Sequence, residues 1–313
     1  MQLYKSRGFG EFFQDTFLFL KQNGGHLYKN FFIVNGIFIL ILMVLLYFFS
    51  NFYTDMLFGG MSNENPNAIE NYINENAVVF VLFLSVFLVV GIISSTISYA
   101  FVPIYLKLYA KNGSKSFNAS DIVAQYKIKI GKIFIFIICS LLIAIPIFIL
   151  AGIVSFVLAI TLIGILLLPL VVGAVSLFYQ GTLMEYIESK KGIWNSFGYA
   201  WYLVRSKFWA AIGSAGLFFL MSYIVQNIIS LVPYFVFIID MLTGLEPGAS
   251  PNPEEITKSV SVIMIFIFIL SYFTGVVLNI CVQVNQGIVF YSLKEDKENI
   301  NIKSDIDRIG ISE

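Results

Sequence analysis

One histidine, His26, and two cysteines, Cys139 and Cys281, are the whole stock of imidazole and thiol in this 313-residue chain. A single imidazole cannot supply the paired histidines of an HExxH zinc site, and two distant thiols complete no zinc or haem ligand set. His26 stands just before a long apolar run, where no His-based triad can be assembled. The chain has no GxxxxGK[ST] phosphate loop, and no two carboxylates share an apolar stretch as intramembrane aspartyl proteolysis would require. A serine with a lysine base stays formally available, but every lysine falls near the end of an apolar run. The expected chemistry is non-enzymatic, with no cofactor and no metal.

The polar side chains left inside the apolar runs are neutral hydrogen-bonding groups. They are Ser94, Ser95, Thr96 and Ser98 in the second run, Gln226 and Asn227 in the fourth, and Asn279, Gln283, Asn285 and Gln286 in the last. Steps of four and three residues put Asn279, Gln283 and Gln286 on one helical stripe. Amides that bridge helices in a membrane contribute roughly 0.6–2 kcal/mol each, so one reading is glue between packed spans. The other is a polar cavity open to the cytoplasm, lined by Gln180, Gln283, Gln286, Ser94 and Ser98. Asp240, past Pro233, reads as a solvated residue near the outer surface. Ala211 with Ala215, Ala210 with Ser214, and Gly91 with Ser95 form small-xxx-small pairs that let backbones approach. Pro103, Pro146 and Pro169 are expected to bend or end their helices, because each lacks a backbone donor and crowds the preceding turn.

Composition dictates what must position these groups. Hydrophobic residues make up 58% of the chain, charged residues only 12%, and the mean hydropathy is +0.84. A soluble fold could not cover so much apolar surface, which excludes a soluble enzyme, a nucleic-acid binder and a disordered tail. Uncharged runs cover residues 30–54, 76–106, 133–184, 208–239 and 259–293, with lengths of 25, 31, 52, 32 and 35. About 20 helical residues cross a bilayer core, so the longest run must cross twice and six spans are predicted, with a turn near 161–164. The segment FIFIICSLLIAIPIFIL lacks the alternation of a barrel strand. The fold class expected is all-α: a polytopic transmembrane bundle forming a single membrane domain over 1–313, with residues 294–313 as a polar tail. Both cysteines fall in spans and act there as small apolar residues.

Charge sets the orientation. Only Lys258 among 19 Lys and Arg lies in the loops between spans one and two or five and six, where Asp55, Glu64, Glu70, Glu75, Asp240, Glu246, Glu254 and Glu255 stand. By the positive-inside rule the other segments, and both termini, are cytoplasmic. The N-terminal MQLYKSRGFGEFFQDTF carries Glu11 and Asp15 and no small-residue cleavage site, so the first span is expected to be retained. Neither a myristoylation start nor a prenylation box is present.

Three segments of helical periodicity precede the odd-numbered spans. Phe9, Phe12, Phe13, Phe17 and Leu20 form an apolar side in the first, Ala119, Ile122, Val123, Tyr126 and Ile130 in the second, and Trp194, Phe197, Trp201 and Val204 in the third. Each is expected as an amphipathic interfacial helix on the cytoplasmic face, with Lys127, Lys129, Lys132, Arg205 and Lys207 as anionic-lipid contacts. Tyr179-Gln180-Gly181 is matched by Asn285-Gln286-Gly287, and Tyr105-Leu106-Lys107 by Tyr291-Ser292-Leu293-Lys294. A three-fold internal repeat is therefore expected, with units 9–106, 117–184 and 194–293 related about an axis along the membrane normal.

The stretch IWNSFGYAWYLVRSKFW followed by a span is similar to little-characterised bacterial six-helix integral membrane families, among them the membrane domain that accompanies some glycerophosphodiester phosphodiesterases. That resemblance implies a multi-pass protein of the bacterial inner (plasma) membrane. It implies no catalysis, since nothing outside the spans could fold as a catalytic domain. The expected role is a non-enzymatic scaffold or accessory subunit of a membrane complex, its partners being membrane lipid and other protein subunits, with no nucleic acid. Alternatives are a carrier or channel for a small neutral solute or lipid, and a lipid-sensing membrane protein. The topology is directly testable. An impermeant thiol reagent applied to intact cells should label Asn67→Cys, and a reporter fused after Ser304 should be active only in the cytoplasm; the opposite pair of results would invert the map.

Overall fold

The computed structural model describes residues 1–58, 68–244 and 253–301. Those residues form seven helices and, among the described residues, no strand: α1 (Phe9–Phe58), α2 (Ala68–Asn112), α3 (Ala119–Ala159), α4 (Leu162–Glu188), α5 (Ile193–Ser206), α6 (Phe208–Gly244) and α7 (Pro253–Glu298). All but α5 contain a stretch long and apolar enough to cross a bilayer. The chain is a multi-pass, all-helical membrane protein. The side chain of Asp240, the residues Glu64 and Glu246, and the tail beyond residue 301 lie outside the described residues.

The helices outrun the uncharged runs. At 1.5 Å per residue the 50 residues of α1 reach about 75 Å, more than twice a hydrocarbon core. The segments expected as three interfacial helices accordingly take two forms. Residues 9–21 and 119–132 are the opening turns of α1 and α3, continuous with the spans, and only 193–206 is a helix of its own. The packed face of α1 also differs from the apolar side expected. Phe12, Thr16, Phe19, Asn23, Leu27 and Phe31 are buried at steps of three and four, while Phe9 and Phe17 face outward. Thr16 and Asn23 fit on that stripe because each side chain donates to the carbonyl one turn back, to Phe12 at 2.6 Å and Phe19 at 3.1 Å.

Local chemistry places the breaks. Asn118 caps α3: its Oδ1 accepts from the Ser120 and Asp121 amides at 2.8 and 3.3 Å, while Asp121 accepts from the Asn118 amide at 2.9 Å. The turn within the long run falls at Ile160 and Thr161, and the Thr161 hydroxyl accepts from the Gly164 amide at 2.9 Å. A Cβ at Gly164 would stand 1.9 Å from the Leu158 carbonyl oxygen, so no other residue permits this turn as built. Pro103, Pro146 and Pro169 do not end α2, α3 or α4. In apolar surroundings an uncoiled backbone has no partners, which makes losing one bond cheaper than losing the helix.

Packing divides the chain into two units. The first comprises Met1–Val34, Thr96–Ser222 and Asn279–Glu313, and the second Asn35–Ser95 and Tyr223–Leu278. In the first, α3 packs on α4 and α4 on α5, with Phe197 stacked on Phe136 and tilted against Phe178. Here α4 and α6 cross at paired glycines: a Cβ at Gly173 would lie 2.5 Å from the Gly216 nitrogen, and one at Gly216 would lie 2.9 Å from the Leu170 Cα. Any side chain at either position forces the helices apart. Ala211, Ser214 and Ala215 are buried on the same helix, whereas Ala210 and Gly91 are half-buried and Ser95 is exposed. In the second unit Phe49 meets Phe83 and Phe268, and the Gln226 side chain makes a long contact of 3.5 Å to the Ser271 carbonyl. Most of the large apolar side chains of α2 there are exposed, as lipid-facing residues must be.

Candidate functional site

The densest chemistry lies in the first unit, where α4 and α7 meet along a polar seam. Ser176, Gln180, Glu185 and Glu188 come from α4, at steps of four, five and three. Gln283, Gln286, Tyr291 and Lys294 come from α7, at steps of three, five and three. Lys294, only 7% exposed, is held by Glu185 Oε2 at 2.8 Å and Glu188 Oε2 at 3.4 Å. The other Glu185 oxygen takes Lys191 at 2.8 Å, and the Tyr291 hydroxyl donates to Glu188. Lys191 in turn lies 3.4 Å over the ring of Tyr199, whose hydroxyl donates to Glu298. Burial, then the hydrogen bond to Glu298, pushes the Tyr199 phenol far above its ordinary range and keeps it a donor.

A second knot holds the residues before α1. The Arg7 guanidinium is 1% exposed and fully employed: Nε donates to Asp15 Oδ2 at 2.7 Å, Nη1 to the Leu3 and Lys5 carbonyls at 2.7 and 2.9 Å, and Nη2 to that of Gln2 at 2.7 Å. Lys207 fastens this segment by donating to the Arg7 carbonyl at 3.1 Å while pairing with Asp296 at 2.7 Å. Tyr4 packs edge-on against Tyr291, and burial together with Glu188 and Glu298 drives its phenol pKa strongly upward. His26 bridges two elements. A carbonyl can only accept, so Nε2 donates to Phe117 O at 2.9 Å and Nδ1 accepts from the Tyr105 hydroxyl at 2.8 Å.

The residues singled out from the sequence separate into groups. Gln180 and Gln283 are buried with neither amide atom hydrogen-bonded. Gln286 donates to Ser176 at 2.8 Å, and Asn285 to Thr16 and Ser214 at 3.0 and 2.9 Å, but each keeps an unpartnered oxygen. Asn279 is exposed and does not join them. Ser94 belongs to the second unit, where it donates to Asn35 at 3.5 Å, and Ser98 is half-buried in the first. Of the basic residues, Lys127 and Arg205 are exposed and Lys129 is half-buried. Lys132 caps α4, donating to the Tyr186 and Ser189 carbonyls at 2.6 and 2.8 Å, where unpaired carbonyls and the helix dipole attract an ammonium. Lys107, marked in the sequence by the repeat alone, reaches the Ile187 carbonyl at 3.4 Å.

Sequence reasoning missed Arg7, Glu185, Glu188 and Lys294. The last three stand at or just beyond the ends of uncharged runs and look like loop charges; the available hint was that Tyr291 and Lys294 repeat the Tyr105 and Lys107 pattern. Two cavities open beside these elements. One of about 440 Å³ is lined by Tyr4, Lys107, Lys111, Glu188, Lys294 and Glu298 among others, and one of about 430 Å³ by Trp201, Tyr202, Arg205, Ser206 and Lys297. Among the described residues no three His, Cys, Asp or Glu side chains are grouped to hold a metal ion, and both cysteines are free thiols.

Compared with known proteins, the chain matches no family model, no curated protein and no solved structure. The assignment of Lys132 to helix capping has a measurable consequence. Lys132→Met should lower stability in detergent by about 2 kcal/mol, the cost of two part-buried helix-end carbonyls left without their donor, whereas Lys127→Met should stay within about 0.5 kcal/mol of the parent. Equal effects from the two would remove Lys132 from this role.

Proposed function

We propose that this chain is a non-enzymatic accessory or scaffolding subunit of a membrane complex in the bacterial plasma membrane, with both termini in the cytoplasm. One observation carries the reading: the groups capable of chemistry are engaged in joining helices. Lys294 ties α7 to α4, Lys132 ties α3 to α4, and His26 ties α1 to α2 and to the residues before α3. Charge bias supports the orientation, since 18 of 19 Lys and Arg lie in the segments assigned to the cytoplasm. The tyrosine and lysine that close both α2 and α7 support the repeat, because each pair reaches out of its own helix to a neighbouring element. The likeness to membrane domains that accompany phosphodiesterases agrees with a membrane module that works beside another protein.

A second reading, passage of a small neutral solute, is favoured by the unpartnered amides of Gln180 and Gln283. A buried amide without a partner costs about 1–3 kcal/mol, a burden that bound solute or water would relieve. Gln283→Leu separates the two. In the scaffold reading the variant is as stable as the parent or more so, and gentle detergent purification followed by mass spectrometry still recovers stoichiometric protein partners. Loss of solute flux in liposomes from a normally folded Gln283→Leu variant, with no partner recovered from either protein, would replace this reading with transport.

A further inference from the structure

We propose that Arg205 and Lys297 hold the phosphate of an anionic lipid headgroup in the 430 Å³ cavity between Trp201 and Tyr202. Two cations line this cavity and no carboxylate does. Each cation is set against a ring of the same cavity: the Arg205 guanidinium carbon lies 5.9 Å from the Trp201 centroid, and Lys297 Nζ lies 5.2 Å from that of Tyr202. Neither has a carboxylate partner among the described residues, unlike Lys191, Lys207 and Lys294, whose ammonium groups are neutralised by Glu185, Asp296 and the Glu185–Glu188 pair. The acidic residues flanking Lys297 are engaged elsewhere, Asp296 by Lys207 and Glu298 by the Tyr199 hydroxyl. The Ser206 hydroxyl donates to the Leu203 carbonyl at 2.6 Å, which leaves Arg205 and Lys297 as the charged donors for an incoming anion. Two ring-seated cations without counterions, facing a common space, suit a phosphate, whose oxygens accept from a guanidinium fork and an ammonium together.

The surroundings point to lipid as the source. Trp201 and Tyr202 are 48% and 53% exposed, Trp194 lies on the same outward stripe of α5 as Trp201, and Trp209 at the start of α6 is 78% exposed. Amphipathic rings concentrated in this way belong at headgroup depth, where one end of the ring is apolar and the other wet. The site therefore rests on α5 lying at the membrane surface, and the phosphate reaches it from the leaflet rather than from solution.

All three tryptophans of the chain lie in this region, so their fluorescence reports on it alone. Delipidated protein is titrated with short-chain phosphatidylglycerol, phosphatidylcholine and inorganic phosphate. Phosphatidylglycerol should give a saturable change, and the Arg205→Gln, Lys297→Gln double variant should bind it roughly 30-fold more weakly, at about 1 kcal/mol per surface cation. Lys127→Gln should bind as the parent does. Equal affinity for phosphatidylcholine, or an unaltered double variant, would overturn the site. Inorganic phosphate binding as tightly as the lipid would overturn the lipid source. A separate measurement, quenching of the same tryptophans by headgroup-spin-labelled neutral lipid in nanodiscs, tests the depth of α5 alone. Quenching without anionic preference would defeat the phosphate site and leave the placement of α5 standing.

Discussion

A lysine almost out of solvent between two glutamates fixes how α4 and α7 meet. Moving either charge from water into a protein interior costs several kcal/mol, and only close pairing with further hydrogen bonds offsets it. The surroundings of Lys294 meet that condition: Glu185 is shared with Lys191, Glu188 is braced by the Tyr291 hydroxyl, and the Lys294 ammonium also lies 5.4 Å from the Phe290 ring centre. Such a pair adds little net stability over an apolar substitute, but it tolerates no slip, because one turn of displacement along either helix would leave a buried charge alone. Register is what it supplies.

The same constraint accounts for the rest of the first unit. In lipid, apolar contact between helices carries no hydrophobic driving force, so association depends on close backbone approach and polar bonds. Close approach appears at Gly173 and Gly216, and polar bonding at Asn285, which donates to Thr16 of α1 and Ser214 of α6. Helix ends leave carbonyls unpaired, and lysines from other helices supply the missing donors at the end of α4. Basic residues near the helix ends thus also become the material that joins the helices.

Much of the architecture was legible from charge-free run lengths. The split of the 52-residue run came out where Thr161 and Gly164 suggested, because a capping threonine followed by a glycine three residues on is a local signal. Helix ends were less legible. Charged residues close a run in the sequence, yet α4 continues through Glu185 to Glu188 and α7 through Lys294 to Glu298, since the partners that neutralise these charges lie in other helices. Pairs separated by 109 residues, such as Lys294 and Glu185, leave no periodicity to read. His26 is similar: its bonds to Tyr105 and Phe117 span 79 and 91 residues. Helical spacing put Asn279 on one stripe with Gln283 and Gln286, but could not show that Asn279 is exposed while the two glutamines are buried.

A double-mutant cycle on unfolding in detergent measures directly whether the buried ion pair holds the two helices in register. Lys294→Met alone should destabilise the protein by roughly 3–5 kcal/mol, because Glu185 keeps Lys191 while Glu188 is left without a cation, and adding Glu188→Gln, which removes that charge and still accepts from the Tyr291 hydroxyl, should restore much of the loss. A neutral Lys294→Met variant, or a double variant whose cost is the sum of the two singles, would contradict that role.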